Sequence, residues 1–460
     1  MKSTKISLLL AASLSVTALS GCGIYKKYKA EDVDSQLVKE YAQALKERPD
    51  SMAFGNLQWQ QVFTDPALAD LINTALANNK DLNNARLNVK MAQAQLKGAK
   101  LSYLPSVALA PNGAGASYAG NDFNWTYQLP MSVSWEVDLF GKLLNSKRGA
   151  KAALLQSEAY EQAVRSQIIG GVASCYYTIA ALESQLALSR ETAKVWSESI
   201  EVMKNLKLAG RLNEAAVVQS TAQYYSILAS ITDLEVSLHG AQNSMSLLLN
   251  TMPQHWAVAP TSTLTAPEMF RAAIPMQELA ARPDVRAAEQ NLAVAFYSTA
   301  SARAAFYPSL NITANGGFTN LLGSFVSNPG DWFIQLAGQL TAPLFSRGAN
   351  IARLEAAKAT QQQALNNFEY SLMSAAAEVS EAMTVYEKAV EKQNLLVKQV
   401  ENLEKSVEYT QELLTLGTST YLEVLTAQQS LLAAQTSQIN SSLTASRAVI
   451  NLYQSLGGGR

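Results

Sequence analysis

Few residues in this 460-residue sequence are of a kind that does chemistry on a substrate. There are two histidines, His239 and His255, and two cysteines, Cys22 and Cys175. Neither histidine has a companion at the spacing of a zinc site or of a nucleophile and its base. No G-x-G-x-x-G, P-loop or G-x-S-x-G motif stands at a strand-to-helix junction. The run Gly457–Gly459 lacks the following helix that a phosphate cradle requires, and residues 458–460 read as a flexible tail. Glu387 and Glu391 have Lys388 and Lys392 as neighbours and read as helix-surface charge. Cys175 sits in an apolar segment, Ile168 to Ala181, and reads as a buried, inert thiol. The expectation is a protein that is not an enzyme and holds no metal or cofactor.

Cys22 is the exception, because covalent chemistry is expected on it. Lys2 and Lys5 precede an apolar stretch from Ile6 to about Val16, and Leu19-Ser20-Gly21-Cys22 follows, the layout of an export signal, residues 1–21. The cleavage region resembles a bacterial lipobox, which implies a diacylglyceryl group on the Cys22 thiol. Gly23, where an aspartate is absent, leans towards outer-membrane sorting by the same resemblance. Acyl chains contribute about 0.8 kcal/mol per buried methylene, so a multiply acylated Cys22 would hold the mature N-terminus at a membrane.

Hydrophobic residues make up 48% of the chain and charged ones 16%, with a formal net charge of -1 and no basic stripe, which argues against nucleic acid as partner. No apolar run long enough for a spanning helix follows the N-terminus. Asp81, Pro105-Ser106, Leu139-Phe140-x-Lys142 and Gly210 recur as Asp284, Pro308-Ser309, Leu344-Phe345-x-Arg347 and Gly417, at offsets of 203, 203, 205 and 207. This is one large unit duplicated: 67–250 and 284–457, with an anchor and equatorial segment at 22–66 and an equatorial linker at 251–283. Each unit reads as a helix, strands (about 106–138 and 309–342), a very long helix, a glycine break and a second long helix. Leu372, Val379, Tyr386, Gln393, Val400, Val407 and Leu414 step by seven, as do Ala376, Met383, Val390 and Val397 four residues behind, predicting a coiled-coil seam. A helix from about Gly348 to Leu414 would be about 100 Å long, and its counterpart runs from about Lys147 to Lys207.

From Trp125 to Leu139 the odd positions are apolar and the even ones polar or proline, and Trp332 to Thr341 largely repeats the alternation. That first run exceeds the about 9–11 residues a tilted strand needs to cross a bilayer. Trp125, Trp135 and Trp332 lie near the ends of the apolar faces, as interface aromatics do. Four strands cannot close a barrel, and an open edge in hydrocarbon leaves backbone groups unpaired, so strands from several copies must combine. Eight strands would be filled by side chains, whereas twelve leave room for water, and the Gln, Ser, Thr and Asn of the second face favour twelve.

With these residues the chain resembles the TolC and OprM-like outer-membrane factors of tripartite efflux systems, in their lipid-anchored branch. The resemblance covers nearly the whole chain. It includes Trp59-x3-Phe63-x-Asp65-Pro66-x-Leu68, Asn79-x-Asp81-Leu82, Asn451-Leu452-Tyr453-x3-Gly457-Gly458 and, most specific, Leu416-Gly417-Thr418-x2-Tyr421-Leu422-Glu423-Val424-Leu425-x-Ala427-Gln428.

The resemblance implies a mainly α protein with a transmembrane β part: a homotrimer whose long helical hairpins form an α-barrel joined to a 12-stranded β-barrel in the outer membrane. It would be a passive conduit for drugs and other small toxic compounds, served by a periplasmic adaptor and an inner-membrane RND-type pump. Gly210 with Arg211, and Gly417 with Thr418, fall at the family's adaptor-docking turns, though a glycine there is equally a helix C-cap. Glu423 falls at the first of two gate positions and Thr426 at the second, where the family usually has aspartate; Glu423 on a merely solvated helix face is the competing reading. The tyrosine and arginine that latch the turn in some members fall on Leu414 and Ser419, so no such latch is expected and packing and Glu423 must hold the closed state. Two other functions stay open: a type I conduit for secreted proteins or peptides, and a periplasmic coiled-coil lipoprotein scaffold with no channel.

Overall fold

The computed structural model describes residues 25–47, 58–117, 124–258, 279–319 and 331–459. Cys22 lies outside them, as does most of the 251–283 linker. In chain order the elements are α1 (Gln36–Glu47), α2 (Trp59–Val62), α3 (Pro66–Asn78), α4 (Lys80–Leu101), β1 (Ser106–Leu109), β2 (Asn112–Ala116), β3 (Asn124–Val137), α5 (Lys142–Leu208) and α6 (Glu214–Leu248). The second half follows with α7 (Pro283–Ala304), β4 (Ser309–Thr319), β5 (Asp331–Thr341), α8 (Ala349–Thr415) and α9 (Tyr421–Ser455).

The duplication is carried at the level of element ends. The bounds of α4 and α7 differ by 203, and those of α5 and α8, and of α6 and α9, by 207. The four-residue gain falls in the strand region between them. Both long helices have 67 residues, about 100 Å at 1.5 Å per residue. The first begins earlier than its apolar pattern predicts. Gly141, at φ 69°, turns the chain out of β3, and Asp138 Oδ2 accepts from the Leu144 amide at 2.8 Å, satisfying an orphan donor of the first turn.

Two compact units share the chain. One holds the sheet with Leu87–Ala159 and Arg286–Ser371 and the N-terminal residues up to Ala42; the other holds Gln43–Arg86, Tyr160–Val285 and Leu372–Arg460. In the first, Tyr41 is fully buried, its ring edge-on to Phe368 at 5.1 Å and its hydroxyl donating to Glu289 Oε2 at 3.0 Å. In the second, the residues of the Trp59-to-Leu68 motif are structural. Trp59, Phe63 and Leu68 are buried, Asp65 caps α3 by accepting from the Ala67 amide and also takes the Tyr176 hydroxyl at 2.7 Å, and Pro66 occupies the first helical position. Asn79 caps α4 and donates to Leu248 O at 2.9 Å, which ties the start of α4 to the end of α6.

The helical seam differs from expectation in one respect. Leu372, Val379, Tyr386 and Val400 are buried, but their partners are Ala375, Ala382, Ala389 and Leu396, three residues behind and not four. Alanines there let a neighbouring helix approach closely, while Ala376 is exposed and Met383, Val390 and Val397 only half-buried within the chain. The expected flexible tail is also corrected. Gly458 and Gly459 are buried, and the Gly459 amide donates to the Tyr453 hydroxyl at 2.7 Å. A Cβ at Gly458 would lie 2.3 Å from the Tyr453 ring, so the glycines pack where a larger residue could not.

The sheet is antiparallel in the order β1/β2–β3–β4–β5. β1 and β2 pair with β3 in one register, Ser106 opposite Ser134 and Asn112 opposite Gln128, so they are one strand interrupted at Ala110–Pro111, where proline supplies no amide. Each chain therefore contributes four strands, and the repeats meet at β3–β4. At that junction the Phe140 and Tyr307 rings stack at 4.9 Å. Leu344 and Phe345, just past β5, are 96% and 86% exposed.

Candidate functional sites: two helical turns and an apolar sheet face

The register decides what the strands can do. Leu129 pairs with Phe318 and Phe318 with Trp332, while Val137 pairs with Leu310 and Leu310 with Leu340. Odd positions of the first repeat thus share a face with even positions of the second. That face carries Val107, Leu109, Leu129, Met131, Trp135, Phe318, Trp332, Ile334, Leu336 and Leu340, all exposed in the chain. The other carries Ser106, Gln128, Ser132, Ser134, Asn311, Thr313, Asn315, Gln335 and Gln339. A continuous apolar face of this size on a soluble protein would be an aggregation hazard. No helix among the described residues is long and apolar enough to cross a membrane.

Trp125 and Trp135 stand ten positions apart on β3, about 33 Å along a strand, or about 25 Å of height at a tilt near 40°. Trp125 is opposite Gly115. Trp135 donates from its indole nitrogen to Tyr103 O at 3.0 Å, and Trp332, in the row of Leu129 and Phe318, is 73% exposed. Gly317 is where backbones come closest: a Cβ would lie 2.1 Å from Leu129 O.

The two long-hairpin turns are built alike. At the end of α5 the Arg211 amide bonds Leu206 O and the Gly210 amide bonds Lys207 O, both at 2.9 Å. At the end of α8 the Thr418 amide bonds Leu413 O at 3.0 Å and the Gly417 amide bonds Leu414 O at 3.1 Å. These are Schellman motifs, with glycine at the left-handed position: Gly210 at φ 74° and Gly417 at φ 73°. The same motif ends α6 at Asn250, φ 53°, and α9 at Gly457, φ 82°. Asn213 then caps α6 by accepting from the Ala216 amide at 3.0 Å. The tips expose leucine, Leu208 at 82% and Leu416 at 75%, a feature the sequence patterns pass over because both continue a helical apolar run.

Beyond these shared parts the turns diverge. The first is held by an ion pair between Lys207 and Glu214. Their equivalents, 207 positions on, are Leu414 and Tyr421, and the second turn is held by Glu423. Its Oε2 accepts from the Thr420 amide at 3.2 Å and from the Ser419 hydroxyl, the side-chain half of a capping box. Hydrogen bonds from Ser419, then from the Thr420 amide, hold this exposed carboxyl below the usual carboxylate range. Ser419, expected only as the place of a missing latch, is thus itself a partner of Glu423. The Thr426 hydroxyl, one turn on, is spent on Leu422 O at 2.8 Å. Behind the turn Leu425 packs with Ala193, Trp196 and Ile227, and the Tyr421 hydroxyl bonds Ser199 and Ser220.

His239 and His255 line a surface cleft with Glu183 and Glu235, His255 Nε2 lying 3.7 Å from Glu183. No group of three His, Cys, Asp or Glu among the described residues could hold a metal ion. Cys175 donates to Ala241 O at 3.3 Å, and burial pushes its thiol up to about 11 despite Arg447 nearby.

A family profile described as "Outer membrane efflux protein" matches residues 71–251 and 274–458. The chain is 30% identical over 414 residues to the probable outer membrane lipoprotein SilC of Salmonella typhimurium, spanning 87% of this chain and 88% of that protein. It is 29% identical over 467 residues to the toluene efflux pump outer membrane protein TtgC of Pseudomonas putida, spanning 97% and 95%. The crystal structure of the open state of the Neisseria gonorrhoeae MtrE outer membrane channel superposes with a TM-score of 0.80 at 27% identity, covering 95% of this chain and 97% of that one.

Proposed function

The chain belongs to the outer membrane efflux protein family and is an outer-membrane efflux channel, and from that premise we propose that it works as a homotrimer, conducting small toxic compounds delivered by a periplasmic adaptor and an inner-membrane RND-type pump. The single observation that carries the reading is the sheet. It has an unbroken apolar face, a polar face opposite, and β1/β2 and β5 as outer strands with no further strand beside them among the described residues. In hydrocarbon those edges must pair, and three copies supply twelve strands with a wet interior. Trp125, Trp135 and Trp332 then sit at the two interfaces, and the alternating polar residues wet the lumen.

The turns around Gly210 and Gly417 are the surfaces offered to the adaptor, and their rigid Schellman geometry and exposed leucines suit docking. Glu423 with Thr426 forms the gate. Three Glu423 carboxylates converging on an axis favour cations and repel one another, and the Ser419 and Thr420 hydrogen bonds keep each one ionised. Cys22 carries the lipid; Tyr25, three residues later, bonds Leu139 O at the end of β3, which is where an anchor belongs. Light scattering on the detergent-solubilised protein and conductance in planar bilayers test the core of the proposal. Three protomer masses with stable conducting steps are expected, and a silent single protomer refutes it. Loss of acyl mass in Cys22→Ser tests the anchor.

A further inference from the structure

The chain after Tyr25 crosses α7, the Tyr28 amide donating to the Tyr297 hydroxyl at 3.2 Å, and leaves a cleft of about 360 Å³ between this segment, α7 and α8. Its charged lining is Lys26, Lys27, Lys29, Arg303 and Lys358 against Asp32 and Asp34, five cations to two acids. Lys26 pairs with Asp32 at 3.3 Å. Below the charges lie Val33, Leu292, Phe296 and Leu365. A basic rim over an apolar floor is unusual in a chain whose formal net charge is -1.

Its position is fixed by the sheet. Tyr25 is bonded to Leu139 O, two residues past the end of β3, and Arg148 donates to Tyr25 O at 3.0 Å. Arg303 stands six residues before β4 begins. The cleft therefore opens where the apolar face of the strands ends on the helical side, at headgroup depth in the periplasmic leaflet. Two of its cations recur in the other repeat, Arg303 as Lys100 at the 203 offset and Lys358 as Lys151 at the 207 offset, both exposed. The Tyr28 hydroxyl is buried at this cleft with no partner among the described residues. Burial, then Glu289, raises its pKa, so it remains a donor without an acceptor.

We propose that this cleft binds the headgroup of an anionic glycerophospholipid of the periplasmic leaflet, the phosphate held by Lys27, Arg303 and Lys358 and the glycerol and first methylenes resting on Phe296 and Leu292. Basic residues at an anionic membrane surface each add about fivefold to binding. The lipid would fix the depth of the channel through a second, non-covalent point beside the N-terminal anchor.

The test is native mass spectrometry of the delipidated full-length protein titrated with phosphatidylglycerol and phosphatidylethanolamine of identical acyl chains. Phosphatidylglycerol is expected to bind at least about fivefold tighter, with the preference falling as salt rises. The triple variant Lys27→Gln, Arg303→Gln, Lys358→Gln should lose about tenfold or more in phosphatidylglycerol affinity and keep its phosphatidylethanolamine affinity. A control triple, Lys194→Gln, Lys398→Gln, Lys405→Gln, should behave as wild type. Equal binding of the two lipids by the wild type overturns the proposal whatever the variants do. Retained preference in the first triple, or lost preference in the control, overturns the assignment to this cleft. Inorganic phosphate binding as tightly as the lipid overturns the lipid as its occupant.

Discussion

Replacing Gly417 by alanine isolates one physical quantity, the cost of a left-handed backbone at the tip of a hairpin. Gly417 has φ 73° and a Cβ built on it meets nothing within 4 Å, so no steric contact with the rest of the protein enters. An L-residue held in this region costs about 1–2 kcal/mol, and restricting the unfolded chain returns about 0.4–1 kcal/mol. The net is about 1 kcal/mol, or about fivefold in the equilibrium between the closed turn and its frayed form. The Thr418 amide reports it directly, because its bond to Leu413 O exists only while residue 417 keeps that φ. Hydrogen exchange at Thr418, corrected for the intrinsic rate, should quicken about fivefold in Gly417→Ala. Gly417→Asn should stay within about twofold of wild type, because Asn250 already occupies the same position of the same motif at φ 53°. Gly210→Ala should quicken the Arg211 amide by the same factor. Unchanged exchange in the alanine variants, or asparagine as costly as alanine, would refute the claim that φ alone selects glycine at these turns.

Three further outcomes follow. Arg282 is 6% exposed and donates to Asp284 at 2.7 Å, Glu378 at 2.6 Å and Ser455 O at 2.9 Å; Arg282→Met should cost about 2 kcal/mol, discounted because both carboxylates are half exposed and rehydrate, and thermal unfolding reads it. Gly317→Ala drives a Cβ into Leu129 O and should abolish assembled, conducting channel, whereas Gly316→Ala, at an ordinary 3.5 Å from Phe333 O, should assemble normally. Glu423→Ala should raise resting conductance or weaken cation preference, and no change in either would sink the gate. In the intact protein the preference should persist at neutral pH and fade only as pH drops through the depressed Glu423 pKa; Ser419→Ala, by removing the largest cause of the depression, should move that loss to higher pH.

Element types and the duplication were legible in the sequence because each rests on a strong local signal: heptads for the long helices, period-two alternation for β3 and β5, and repeated glycines at the turns. The side of the sheet each strand presents was legible strand by strand, but the sharing of one face across repeats was not. It depends on pairing register, such as Leu129 with Phe318 and Trp332, which no single segment encodes. The seam shifted by one residue because Ala375 and Ala376 are the same amino acid and carry no marker of which one faces a neighbour. The packed C-terminus was missed for a related reason. Glycines signal freedom in a sequence, and only the Tyr453 ring lying where a side chain would stand reveals that Gly458 is confined. Glu423 was visible as a charge just past a turn; its bond to Ser419 required the capping geometry.

The junction at β3–β4 bears on how copies recognise one another. It joins the end of the first repeat's sheet to the start of the second's, with Phe140 laid against Tyr307. At the free edge, Leu344 and Phe345 repeat the motif of Leu139 and Phe140 but face solvent. In the proposed trimer the next chain presents β1, with Tyr103 and Leu104 ahead of it, as β4 is presented by Phe306 and Tyr307. Each polypeptide thus rehearses internally, through a covalent tether, the encounter it must later make with a stranger. A closed ring would hold six such joints in alternation, three guaranteed by synthesis and three left to diffusion.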